Sequence, residues 1–253
     1  MKPVILITLH RRYHEFVKTI KNIHSKFEYF SEKPTIYVVW SDPEPGRYWL
    51  LDLFKKNNLI DFLITRHVLP DENGKTATTF YESQNIRLGL ENVFRNHPDS
   101  YCIVQASDIS ITEYGFHLID TEMNRGAKGI VFSWINTNFG AFHTNCFCVT
   151  NDKDLWPPFA DKKSRDVLER LWYKDLERKN LIKNFTNMSN YNKIIFSHEH
   201  ISENLEQFPI KAALSYNQIY LHVEGTVNIL DFILNFFRCI FMGDRNGKNS
   251  NRL

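Results

Sequence analysis

The sequence predicts an α/β fold, a mostly parallel central sheet with helices on both faces, followed by a less regular C-terminal region and a terminal helix. Two observations predict it. Continuous apolar runs of strand length recur through the first half of the 253 residues, as strands buried on both faces require. Between them lie stretches with helical periodicity, and strand, helix, strand, helix in series argues for crossover connections and a parallel sheet.

The elements follow in order. Val4-Ile-Leu-Ile-Thr-Leu9 reads as the first strand, and Phe16, Ile20, Ile23 and Phe27 form the apolar stripe of the first helix. Pro34 breaks in before the second strand, Thr35-Ile-Tyr-Val-Val-Trp40, which ends at the turn-rich Ser-Asp-Pro-Glu-Pro-Gly46. Leu50, Leu53 and Phe54 mark a short helix, and Asp61 to Thr65 a third strand. Ile86, Leu90 and Val93 make the next helical stripe, closed near Pro98, before a fourth strand from Tyr101 to Ala106. A helix around Phe116, Ile119 and Met123 leads to a strand over Gly129–Trp134, with a helix cap at Asp108 or a nearby serine as the alternative to a site role for Asp108.

The second half is less regular. Phe142–Val149 suits a strand, Trp156–Phe159 a loop, and Leu168, Trp172 and Leu176 a helix. The polar, Asn-rich residues 181–200 read as loop around one strand at Lys193–Phe196. Val227, Leu230, Leu234, Phe237 and Phe241 give residues 226–242 the character of an apolar helix, with residues 243–253 expected to be a disordered tail.

Composition narrows the function classes. Hydrophobic residues at 43% and charged ones at 24% are ordinary for a globular chain, and a net charge of +2 supplies no field to draw in nucleic acid. Cys102, Cys146, Cys148 and Cys239 follow no disulfide or metal spacing, which suits a reducing compartment. Cys146 and Cys148 fall on one face of a strand, too close to bridge each other. The first ten residues turn polar too soon for a signal peptide, and no apolar run is long enough to cross a bilayer. The expected location is the cytoplasm, with peripheral membrane contact through 226–242 as the variant.

In an open parallel sheet, ligands gather at the carboxyl ends of the strands. The residues delivered there are Thr8, His10, Arg11 and Arg12, then Ser41 and Asp42, then Arg66 and His67, then Ser107, Asp108 and Ser110. Cations suit a diphosphate, and a carboxylate suits a base, a ribose or a metal. No Gly-x-Gly-x-x-Gly follows the first strand and no Gly-Lys-Ser/Thr loop occurs, which excludes dinucleotide-binding and P-loop readings.

The passage Glu82-Ser-Gln-Asn-Ile-Arg-Leu-Gly-Leu-Glu-Asn-Val-Phe94, followed by Tyr101-Cys-Ile-Val-Gln-Ala-Ser-Asp108-Ile-Ser110, resembles the GT-A-fold glycosyltransferases. In that superfamily a helix with an Arg-Asn-x-Gly-like segment precedes a strand ending in an Asp-x-Asp motif. Here the segment reads Asn85-Ile-Arg87-Leu-Gly89 and the motif Ser107-Asp108-Ile109-Ser110, with one carboxylate remaining. Tyr220-Leu-His222-Val-Glu-Gly225 resembles the late His segment that completes the metal site in many relatives.

The resemblance implies transfer of a sugar from a UDP- or GDP-sugar to a glycan or lipid-linked acceptor. It implies donor contacts from Thr8, His10, Arg11, Asp42, Arg66, Asn85, Arg87, Ser107 and Asp108, and Mn²⁺ or Mg²⁺ on Asp108 and His222. It also implies a carboxylate that takes the acceptor's proton, for which Asp161 is best placed; Asp152, Asp154, Asp166 and Glu199 compete. Trp134, Trp156 and Phe159 suit either acceptor stacking or core packing. The expected division is a nucleotide-sugar half over 1–112 and an acceptor half over 113–225, with 226–242 available for a homodimer or membrane contact. Two rivals remain: a carbohydrate-binding scaffold on the same fold, and a sugar-phosphate nucleotidyltransferase, which should open with a Gly-rich loop where this chain has Thr8-Leu-His-Arg-Arg12.

Overall fold

The computed structural model describes residues 1–9, 13–41, 48–66, 78–107, 109–132, 142–164, 166–188 and 196–198. Seven strands form one sheet in the order β3-β2-β1-β4-β7-β6-β8. They are β1 (Lys2–Leu9), β2 (Thr35–Ser41), β3 (Phe62–Arg66), β4 (Ser100–Ala106), β6 (Gly129–Val131), β7 (Cys146–Thr150) and β8 (Phe185–Asn187). β1 pairs in parallel with β2 and β4, β2 with β3, and β6 with β8, while β7 runs antiparallel to both β4 and β6. The sheet is therefore mostly parallel. The chain lays β2 and β3 on one side of β1 and then crosses to place β4 on the other, so the topological switch point lies between β1 and β4.

Strand alternation divides the core into two layers. Ile5, Ile7, Ile36, Val38, Tyr101 and Ile103 face α1 (Tyr13–His24), α2 (Tyr48–Lys56) and α4 (Glu113–Asn124). Val4, Leu6, Tyr37, Val39, Cys102 and Val104 face α3 (Thr78–Asn96) and α5 (Leu168–Arg178). Helices on both faces explain why the strands read as continuous apolar runs. Cys146 and Cys148 both belong to the first layer, as their spacing requires, and Cys102 to the second.

Several boundaries differ from expectation. The first helix ends at His24, and Phe27 begins a separate 3-10 turn, Phe27–Tyr29. A short strand, β5 (Ile109–Ile111), stands between β4 and α4, and the cap of α4 is Thr112, whose Oγ1 accepts a hydrogen bond from the Gly115 N–H at 3.0 Å. Capping by Asp108 or a nearby serine is thus replaced, because the chain pairs as a strand before it turns into the helix. β5 pairs antiparallel with β9 (Phe196–His198) as a second, two-stranded sheet. β6 and β7 form where strands were expected but are shorter than Gly129–Trp134 and Phe142–Val149, and β7 runs one residue further, to Thr150. The segment read as polar loop contains β8, whose only buried apolar anchor is Phe185. No described helix is long and apolar enough to cross a membrane.

Candidate functional site

The carboxyl edge carries a connected polar network. Thr8 stands opposite Val39 and Ala106, and Ser41 opposite Arg66, so all four parallel strands reach the edge in register. Asn85, in the second turn of α3, spans two of these ends. Its amide nitrogen donates to Ser41 Oγ at 2.7 Å, and its Oδ1 accepts from Arg66 Nη1 at 3.3 Å. Asn85 and Ser41 are buried, so the amide is fixed in one orientation. The Arg66 guanidinium lies 5.5 Å from the Tyr81 ring centroid, and partial burial lowers its pKa from the usual arginine value. A partly desolvated cation held by an amide suits a diphosphate better than a freely solvated one.

The end of β4 is held from α1. Ser107 is buried, and its N–H donates to the Thr8 carbonyl at 3.2 Å. The buried Thr19 hydroxyl lies 2.8 Å from the Ser107 carbonyl and 3.1 Å from that of Ile109, on either side of Asp108 in the chain. Asn22 Nδ2 and Lys26 Nζ donate to the Ile111 carbonyl at 2.9 and 3.1 Å. Glu15, one turn before Thr19, is 2% exposed, and neither of its oxygens has a hydrogen-bond partner among the described residues. Sequence reasoning missed this stripe. Its signal was the recurrence of Glu15, Thr19, Asn22 and Lys26 at steps of four, three and four, which a solvated helix face shows equally.

No family model matches the chain and no curated protein matches it. Among solved structures it is similar to S. aureus TarS, at 10% identity and a TM-score of 0.46 over 100% of this chain and 46% of that one. A structure of TarS 1–349 gives 12% identity and a TM-score of 0.45 over 100% of this chain and 76% of that one. A glycosyltransferase involved in the glycosylation of the major capsid of PBCV-1 gives 11% identity and a TM-score of 0.43 over 86% and 100%. The chain thus spans less than half the length of the full TarS chain. What each residue does is argued from this chain's own geometry.

The remaining expected site residues divide as follows. Arg87 is set apart from the Asn85 network: its guanidinium lies 5.0 Å from both the Trp156 and Phe159 ring centroids, and Nη1 donates to the Lys153 carbonyl at 3.3 Å. Trp156 is a core residue, stacked on Phe94 and donating its Nε1–H to the Thr150 carbonyl, whereas Phe159 is 59% exposed. Asp161 is exposed; its Oδ1 accepts from the Lys163 N–H at 2.8 Å. It lines a shallow groove with Phe159, Ser164, Leu171, Lys174 and Arg178. Ala160, between Phe159 and Asp161, is tied to α3 through its N–H and Ser83 Oγ at 3.0 Å. His10, Arg11, Asp42, Asp108, Trp134 and His222, and the segments 226–242 and 243–253, lie outside the described residues.

Glu82 is a second residue the sequence did not single out as a site. Its Oε1 accepts from Thr144 Oγ1 at 2.7 Å, and burial raises its pKa to about 7; the Thr144 bond works against that rise and Glu169 adds to it. Among the described residues no group of three or more His, Cys, Asp or Glu side chains is arranged to hold a metal ion.

Proposed function

We propose that the chain is a glycosyltransferase that takes its sugar from a nucleoside-diphosphate donor at the carboxyl edge of β1 to β4. The observation that carries the reading is a convergence. Asn85, from the first segment of the sequence resemblance, bonds to the ends of β2 and β3, and Ser107, from the second, directly follows β4 at the switch point.

On this reading Arg66, oriented by Asn85, meets the negative charge that builds on the departing diphosphate. Thr8 and Ser107 line the crevice between β1 and β4, and His10, Arg11 and Asp42 contribute donor contacts, Asp42 to the base or ribose. Asp108 and His222 would hold a Mn²⁺ or Mg²⁺, which would supply further positive charge to offset that of the diphosphate. Asp161 takes the acceptor hydroxyl's proton, and the exposed Phe159 ring offers an apolar face to an acceptor sugar.

The test is turnover of a panel of UDP- and GDP-sugars, with and without Mn²⁺, followed as release of nucleoside diphosphate. Release by the intact chain and its loss in Asp108→Ala are expected. Sugar binding without turnover would favour a carbohydrate-binding scaffold, and conversion of the nucleotide sugar with added pyrophosphate into nucleoside triphosphate and sugar 1-phosphate a nucleotidyltransferase; either result overturns the proposal.

A further inference from the structure

Arg87 lies apart from the Asn85 network, and what it holds there is the wall of a groove. Its guanidinium sits over two rings, 5.0 Å from the centroid of Trp156 and 5.0 Å from that of Phe159. Trp156 is fixed in the core against Phe94, so it is the anchor, and Phe159, 59% exposed, is the ring being held. Arg87 Nη1 donates to the Lys153 carbonyl at 3.3 Å, and burial lowers the arginine pKa from its usual value, as loss of water around a cation should. One turn earlier on the same helix, Ser83 Oγ accepts from the Ala160 N–H at 3.0 Å. Two consecutive residues, Phe159 and Ala160, are therefore fastened to α3. Single exposed apolar side chains are common, but an exposed ring held rigid from behind is a preformed surface for a ligand. Phe159 lines a groove of about 380 Å³ with Asp161, Ser164, Lys174, Asp175 and Arg178, within the range of roughly 300–1,000 Å³ usual for small-molecule sites. Lys174 pairs with Asp166 at 2.8 Å and Arg178 with Asp175 at 2.7 Å, so the groove's cations already have their counter-charges.

We propose that this groove binds an uncharged pyranose ring of the acceptor against Phe159, and that Arg87 is the positioning residue that holds Phe159 for it. One side of a pyranose is a patch of C–H bonds that a flat aromatic ring can cover, while its hydroxyls radiate from the rim. Asp161 and Ser164 supply hydrogen-bonding groups at that rim, and a groove with balanced charge suits a neutral sugar better than a phosphate. Arg87, expected at the donor, thus serves the acceptor. Ser83 and Asn85 stand two residues apart on α3, so the helix that orients Arg66 at the donor edge also fixes the acceptor wall.

The inference deepens the proposed function and rests on it for the word acceptor. The test therefore measures sugar binding by the full chain without any donor. Methyl β-glucopyranoside and methyl β-galactopyranoside are the probes, followed by saturation-transfer NMR, with UDP and GDP binding measured beside them by calorimetry. Wild type should pass saturation to the ring C–H protons of at least one probe. Phe159→Ala should abolish the transfer, and Phe159→Tyr, which keeps the ring, should retain it. Arg87→Gln should weaken pyranoside binding several-fold and leave nucleotide affinity as in wild type, a split that general damage to the fold would not produce. Arg87→Lys keeps a cation without the flat guanidinium; it should fall between the two, and it serves if the glutamine variant fails to fold. No saturation transfer to either probe, or unaltered binding in Phe159→Ala, would overturn the groove. Pyranoside affinity unchanged in the Arg87 variant that folds, or nucleotide affinity lost in it, would overturn the role of Arg87. Turnover of nucleotide sugars by a chain that binds neither pyranoside sinks the inference and leaves the glycosyltransferase reading standing. Phe159-dependent pyranoside binding with no such turnover sustains the groove and removes that reading.

Discussion

Asn85, Arg87 and Gly89 read in the sequence as one motif, yet each does a different job. Two residues along a helix is about 200° of rotation, so Asn85 meets the strand ends while Arg87 is carried round to Trp156 and Phe159. Periodicity located the helix; it could not say which neighbours each face would meet. Asn85→Ala should lower kcat and kcat/KM together, several-fold, because Arg66 loses the partner that orients it towards charge that builds only in the transition state. A raised donor KM with kcat unchanged would place Arg66 in ground-state binding instead. Glu82 shows what single-sequence reading lacks, since the groups that act on it include Thr144 and Glu169, which are remote in the chain. Its pKa is raised to about 7 from 4.5, so the folded state holds a proton that the unfolded state releases. The stabilisation is full below about pH 4.5 and lost as pH rises to about 7. Urea midpoints should therefore fall between pH 5 and 7.5, with a contribution on the order of 1–3 kcal/mol, and Glu82→Gln should flatten that slope. An identical slope in the variant would mean another group is responsible.

Elements were legible where they are long and regular, and lost where they are short. β1, β2, β4, α3 and α5 carry strong periodic or continuous patterns; the three strands were read within two residues of their ends, and the two helices from apolar stripes that lie inside them, α3 starting eight residues before its stripe. β5, β8 and β9 are three residues each, held by pairing to strands distant in the sequence, and no local pattern encodes that. Gly89 shows the same dependence on distant packing. A Cβ there would stand 2.5 Å from Leu6 Cδ2 and 3.1 Å from its Cγ, and Leu6 is fully buried in β1. Alanine in a helix interior gains about 1 kcal/mol over glycine, but overpacking a core costs about 1–3 kcal/mol. The close approach of α3 to β1 should decide the sign. Gly89→Ala is expected to lower the Tm by a few degrees, and an unchanged or raised Tm would show that Leu6 yields freely.

Across the whole molecule, the expected division at residue 112 is bridged by packing. One hydrophobic layer joins Ile5 to Phe116 and Cys148, and the other joins Val4 to Trp172 and Phe185. The antiparallel β7 makes the seam, pairing five residues of β4 with Cys146–Thr150 before β6 and β8 continue the sheet. Trp172 tests how tightly this seam couples the halves. It is fully buried against Phe142, Phe147 and Phe185, and its Nε1–H donates to the Leu155 carbonyl at 3.0 Å. Its removal in Trp172→Ala should cost about 3–5 kcal/mol, the range for truncating a large aromatic in a core. None of these contacts belongs to the Ser41–Asn85–Arg66 network, so a loosely coupled chain would lose the second half and keep the first. Melting the second half, however, would uncover the edge of β4 that pairs with Cys146–Thr150, and with it the end of the strand that Ser107 follows. The expected result is one transition, with far-UV circular dichroism and near-UV signals shifted down together. Two separated transitions, the higher one at the wild-type midpoint, would show that the strand-end network belongs to a half that folds by itself.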